Sequence, residues 1–189
     1  SLLAGALPPS GGTVAPADPE PTVGWAPQRP ALYGHLTAHE NAVLFARLAG
    51  LDDPLAASGA VLEQLDLASA EQRASQLSVG NQQRLSLALA LLGDPAVLLL
   101  DEPTASLDPK QRRRLWELLL ERKSNGDTAL LATHSLEEAS TLADRVLLLV
   151  DGSVVRVSDV ARVEMGARTQ DRYSRFNGAP AAALGIYQS

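Results

Sequence analysis

Residues 98–108 read LLLDEPTASLD. The leucines complete AVLLL at 96–100, an apolar run without alternation, the pattern of a strand buried on both faces of a parallel sheet. The run ends on Asp101 and Glu102. Two adjacent carboxylates closing a buried strand are costly unless a positive charge or hydrogen bonds compensate them. Open α/β sheets bind ligands at the carboxyl ends of their strands. An acid placed there can hold Mg²⁺ against phosphates, and a second can orient or deprotonate an attacking water. Taken alone, the pair is equally compatible with a solvated strand end or a helix cap, because short motifs recur by chance.

The flanking elements alternate in type. Ser78 is placed to N-cap a helix through about Leu92, ended by Gly93 and Pro95. Asp108 and Pro109 suit the N-cap and first turn of PKQRRRLWELLLERK, which Asn125 and Gly126 close before a strand TALLA at 128–132. Ser135 and Glu138 form a capping box for SLEEASTLA, and VLLLV (146–150), Asp151-Gly152 and SVVRV read as two strands joined by a tight turn. This alternation predicts an α/β core with a parallel sheet. Upstream, SLLAG reads as the last turn of a helix with Gly5 at its C-cap, and TVGW (22–25) as a short strand ahead of Gln28. Residues 38–77 carry apolar positions at helical spacing in AHENAVLFARLAG, PLAASGAVLEQLDL and SAEQRASQL, which predicts three helices. Beyond residue 158 the pattern decays into a tail expected to be disordered or partner-bound.

Composition narrows the classes of function. The 189 residues carry a net charge of -6, and the longest basic run is Arg112, Arg113 and Arg114, so no nucleic-acid footprint is advertised and no nucleic-acid partner is expected. There is no cysteine, which excludes disulfides and thiolate metal sites. His35, His39 and His134 are too scattered for a zinc motif, and His35 and His39 read as surface or packing residues. LSLALALL (85–92) and AVLLL are far shorter than the roughly 20 residues that a bilayer span requires.

Five ordered stretches resemble the nucleotide-binding domain of ATP-binding cassette (ABC) ATPases. LSVGNQQR (77–84) is similar to the family signature LSGGQ, with Val79 for the first glycine and Asn81 for the glutamine. AVLLLDEP resembles Walker B, SLD (106–108) the D-loop, WAPQ ending at Gln28 the Q-loop, and ATHS around His134 the switch-histidine loop. The resemblance covers roughly residues 1–157. It implies a P-loop NTPase-like α/β fold, a three-layer core with a mostly parallel sheet and an inserted helical subdomain at about 38–77, lacking its first strands and P-loop.

The resemblance also implies roles. Asp101 would hold Mg²⁺, with Gln28 reaching the metal through a water, and Glu102 and His134 would be catalytic. Ser78, Gly80 and Asn81 would contact the γ-phosphate of ATP held by a second ABC protomer, and Asp108 would reach the dimer seam. Residue chemistry admits these roles: Ser78 and the N–H groups beside Gly80 lie at a helix N-terminus, which favours phosphate, although Ser78 is equally an ordinary N-cap. Gln28 can accept from a bound water, and His134 can donate to a phosphate oxygen. A P-loop, GxxxxGK[ST], is expected just before the helix ending in LLAG, and none occurs; the only lysines are Lys110 and Lys123. The chain is therefore expected to be a fragment of a longer ATPase, binding ATP poorly by itself. ATP and Mg²⁺ are the implied ligands. A separate membrane permease is the implied partner, with the ATPase peripheral on the cytoplasmic face of the membrane. ALYGHLTAHENAVLFARLAG (31–50) is similar to bacterial multidrug-exporter ATPases. A soluble ABC ATPase acting in translation or DNA maintenance, or a cassette without activity of its own, is the alternative.

Overall fold

In the computed structural model the apolar runs become adjacent parallel strands: β1 (Val23–Ala26), β2 (Val97–Asp101) and β3 (Thr128–Thr133). The structure describes residues 3–15, 20–67, 71–150, 153–155, 175–176, 179–180 and 182–187. Register pairs Ala26 with Leu100 and Leu100 with Leu131, so the three strands end side by side. The expected boundaries hold to within a residue.

Among the described residues five α-helices accompany the strands. α1 (Ala38–Leu48) and α2 (Pro54–Gln64) pack on each other and against α3 (Val79–Ala90). α4 (Pro109–Ser124) joins β2 to β3, and α5 (Leu136–Leu142) leads into β4 (Arg145–Val150). Their starts follow side-chain chemistry: Asp53, Ser78, Asp108 and Ser135 each accept from a backbone N–H three residues on. Thr37 and Glu40 complete a capping box on α1, and the Glu40 carboxyl is held below the usual range chiefly by its bond from the Thr37 N–H.

One face of β1–β3 is covered. Ala26, Leu98, Leu100, Ala129 and Leu131 join Leu85, Leu87, Leu115, Leu118 and Leu119 of α3 and α4 in one core. The opposite face carries Val23, Trp25, Leu99 and Leu130; Val23 is 47% exposed. Segment 3–15 runs across it, leaving a groove of about 1060 Å³ between Leu3, Leu7 and the sheet. Gly5 sits in this segment at φ +69°, the left-handed conformation expected of a helix-ending glycine.

The structure corrects four expectations. SAEQRASQL is not a third helix: its described part is a single short turn, Ala74–Gln76, with Arg73 bridged to Thr37 and the Gln82 amide donating to the carbonyls of Ala74 and Leu77. These ties make irregular backbone cheaper than another helical turn. The capping box of α5 is half formed, because the Glu138 side chain turns inward to accept from Trp116 Nε1 at 3.2 Å. By sequence, Leu115, Trp116 and Leu118 to Leu120 supply the buried side of α4, yet Leu120 is 39% exposed.

The fourth correction concerns the tail. β5 (Ser153–Val155) pairs antiparallel with β4, and Asp151-Gly152 between them lie outside the described residues. β6 (Arg175–Phe176) and β7 (Ala179–Pro180) form a small hairpin, and β8 (Ala182–Tyr187) enters the main sheet between β3 and β4, antiparallel to both. The residues taken for a structureless tail thus include an internal strand, and the sheet expected to be mostly parallel is parallel only across β1–β3, its pairings through β8, β4 and β5 being antiparallel.

Asn41 stitches α1 to the loop before it. Fully buried, it accepts from the Tyr33 N–H at 2.9 Å and donates to the carbonyls of Tyr33, Leu36 and Thr37. Replacement by leucine strands these backbone groups, and urea unfolding of Asn41→Leu is expected to show a loss of about 2 kcal/mol.

Candidate functional site at the strand ends

The shared register brings Gln28, the pair Asp101 and Glu102, and His134 to one edge of the sheet, two residues or fewer beyond β1, β2 and β3. Glu102 leaves the strand in the left-handed conformation, φ +49°. Glutamate has no steric reason to adopt it, and such strain concentrates at functional sites. Two bonds hold it there. The Glu102 N–H donates to the Ala132 carbonyl at 2.9 Å, extending the ladder, and Glu102 Oε1 accepts from the His134 N–H at 3.1 Å. Glu102 Oε2 lies 2.8 Å from His134 Nδ1.

The acid and the histidine are therefore one unit. Thr133 Oγ1 accepts from the Ser135 N–H at 3.0 Å, fixing the turn by which His134 leaves β3. Glu102 is mostly covered and His134 mostly open, with side chains 17% and 69% exposed. An imidazole on the solvent side of a carboxylate can orient it toward an incoming group or donate to that group itself.

Asp101, beside this unit, has its carboxyl pushed up, first by burial and second by the charge of Glu102. The sign of the consequence follows. A carboxyl with a raised folded-state value favours the folded state when protonated, so its contribution to stability falls as pH rises through the carboxylate range. Asp101→Asn is expected to raise the melting temperature of the nucleotide-free protein at neutral pH while removing the extra stabilisation conferred by Mg²⁺ with ATP; calorimetry with and without Mg-ATP checks both signs.

Among the described residues no group of three or more His, Cys, Asp or Glu side chains is clustered to hold a metal. The donors present fit Mg²⁺ in another way. One hard carboxylate that its surroundings leave short of positive charge, with an amide-bearing Gln28 on the neighbouring strand end, suits an ion that keeps its waters and shares its coordination with phosphates.

The second expected group lies apart from Glu102. Ser78 Oγ accepts from the Asn81 N–H at 3.2 Å, so the serine is the N-cap of α3. Asn81 Oδ1 accepts from Arg84 at 2.5 Å, and Arg84 also donates to the Leu65 carbonyl at 3.0 Å. Arg84 thus ties the first turn of α3 to the end of α2, a role its sequence position did not reveal. Gly80 faces the loop 103–107, and Asp108 caps α4 through the Gln111 N–H at 2.8 Å. The structure unites Glu102 with His134 directly; Asp101 closes the same strand as Glu102, and Gln28 follows two residues after the neighbouring β1. Ser78, Gly80 and Asn81 form a separate turn, joined to the site through loop 103–107.

Comparison with known proteins gives this geometry a family. The family model described as ABC transporter matches residues 1–105. The chain is 42% identical over 134 residues to the ATP-binding cassette sub-family A member 7 of Mus musculus, covering 69% of this chain and 6% of that protein. It is 37% identical over 164 residues to the human retinal-specific phospholipid-transporting ATPase ABCA4, covering 80% of this chain and 7% of that protein. Among solved structures, the dimeric bacterial ABC transporter cassette MJ0796 matches with a TM-score of 0.64 and 28% identity, over 71% of this chain and 61% of that one. A post-hydrolysis state of the same cassette bound to ADP and Pi matches with a TM-score of 0.65.

The α/β fold is that of the ABC transporter cassette it matches among solved structures. The chain belongs to the ABC transporter family. It spans 6–7% of the length of these sub-family A relatives, which are mammalian, whereas residues 31–50 had suggested bacterial exporters.

Proposed function

We propose that these residues form part of the ATP-hydrolysing cassette of an ABC transporter, with Glu102 as the base toward water and His134 as its orienting partner. The carboxylate–imidazole pair at the strand ends carries this reading, because nothing in strand packing calls for a left-handed glutamate bonded twice to the histidine that follows β3. Glu102 takes the proton of a water aligned with the γ-phosphate, and His134 holds the carboxylate and donates toward the phosphate oxygens. Asp101 and Gln28 would hold Mg²⁺, which supplies charge neutralisation when bound.

The P-loop belongs, in this proposal, to a segment outside the 189 residues. The sparsely covered sheet face beneath segment 3–15 supports that, since parallel sheets bury both faces. Ser78, Gly80, Asn81 and Asp108 would meet nucleotide held by a second cassette, an arrangement supported by the dimeric relative. Closure and reopening of the pair would drive a membrane permease also outside this chain, in the export direction, from the cytoplasmic side. The described residues contain no helix long and apolar enough to cross a membrane.

The test is fractionation of the native protein with a phosphate-release assay. ATP hydrolysis in the membrane fraction, lost on chelation of Mg²⁺, is expected; activity that tracks ribosomes or DNA would favour the soluble alternative.

A further inference from the structure

Glycine 80 has a reason to be glycine that involves no nucleotide. A Cβ built at this position would lie 2.9 Å from the Ser106 carbonyl oxygen and 3.7 Å from Gln111 Oε1. The first of these atoms is backbone, so it cannot turn aside as a flexible side chain would. It belongs to a tightly bonded loop: the Ala105 N–H donates to the Glu102 carbonyl at 3.2 Å, and the Leu107 N–H donates to the Thr104 carbonyl at 3.1 Å. Thr104 and Leu107 are both buried, at 6% exposure each, which anchors the loop on either side of Ser106.

Movement of the Ser106 carbonyl would therefore spread two ways. Upstream it strains the turn that closes on Glu102. Downstream it reaches Asp108, whose side chain caps α4. We propose that Gly80 is a positioning residue within its own chain: the first turn of α3 is the seat of loop 103–107, and through that seat the signature turn sets the loop between Glu102 and Asp108. The inference deepens the function proposed above, on which its kinetic part rests; its mechanical part requires no ATP.

The seat predicts a sign. In a helix alanine is favoured over glycine, so an unobstructed Gly→Ala change shifts the folding equilibrium about fivefold toward the folded state. Gly59 in α2 has nothing within 4 Å of its Cβ position and provides the unobstructed control. Gly59→Ala is expected to raise the melting temperature, and Gly80→Ala to lower it. With no nucleotide present, amide exchange at Ala105–Asp108 is expected to accelerate about tenfold in Gly80→Ala, and Ser106→Gly, which frees the loop backbone, should restore part of that protection in the double variant.

In the intact ATPase, kcat should fall about tenfold while KM for ATP stays within about twofold, because the loop is displaced rather than the chain's own phosphate site. Unchanged exchange at 105–108 without nucleotide, or a raised melting temperature in Gly80→Ala, overturns the seat and leaves Gly80 a phosphate-contacting glycine only. Should Gly80→Ala not fold, recovery of folding in Gly80→Ala with Ser106→Gly supports the seat and no recovery overturns it. A wild-type protein without ATPase activity defeats the proposed function and leaves the exchange result standing.

Discussion

Glu102→Gln in the intact ATPase is expected to lower turnover by about a hundredfold to ten-thousandfold while ATP binding persists. The amide is nearly isosteric and keeps an oxygen able to accept from the His134 N–H, the bond that fixes the loop. What it loses is basicity toward water and the charge facing His134 Nδ1 at 2.8 Å. Binding is spared because Glu102 meets the water rather than the phosphates in this mechanism. Measurement of steady-state phosphate release beside equilibrium ATP binding separates the two effects. Parallel loss of both would mean that Glu102 shapes the nucleotide pocket itself.

The largest expected loss of stability falls at a small residue. Gly24 in β1 faces α3 so closely that a Cβ there would stand 1.9 Å from the Ala90 carbonyl oxygen and 2.8 Å from Pro95 Cγ. Neither neighbour can yield easily, since Ala90 is the last residue of a helix and Pro95 is a rigid ring leading into β2. Gly24→Ala must push α3 off the sheet or bend β1, at a cost of about 3 kcal/mol in urea unfolding. The same shift would separate the strand bearing Gln28 from the helix whose first turn holds Ser78. Nucleotide-dependent stabilisation should fall along with stability.

Much of this was legible in the sequence, for identifiable reasons. AVLLL and TALLA are continuous apolar runs, and such runs announce parallel strands without tertiary help. The N-caps Ser78, Asp108 and Ser135 are local devices whose partner lies three residues away, so they too can be read from sequence alone. Glu102 and His134 stand 32 positions apart, yet each follows a strand of the same sheet, and parallel pairing was enough to bring them together.

What escaped depended on partners distant in sequence. The inward turn of Glu138 requires Trp116 on another helix. The irregular path at 71–77 is set by Gln82 and Thr37, which no periodicity within the segment could reveal. β8 is as long as β3, but its apolar run is alanine-rich and broken by Gly185, residues that favour strands poorly; its place is defined by the gap between β3 and β4. The contact of Gly80 with Ser106 is likewise invisible to a motif, which records that a glycine is needed but not what fills its space.

Sedimentation of the intact Glu102→Gln protein, with Mg²⁺ and ATP against ATP with a chelator, tests the central claim most directly. If Asp101, Glu102 and His134 serve one nucleotide while Ser78–Asn81 of a second copy closes over it, Mg-ATP should convert the slowly hydrolysing protein to dimers, and removal of Mg²⁺ or replacement of ATP by ADP should return it to monomers. An association state indifferent to Mg-ATP would contradict the account.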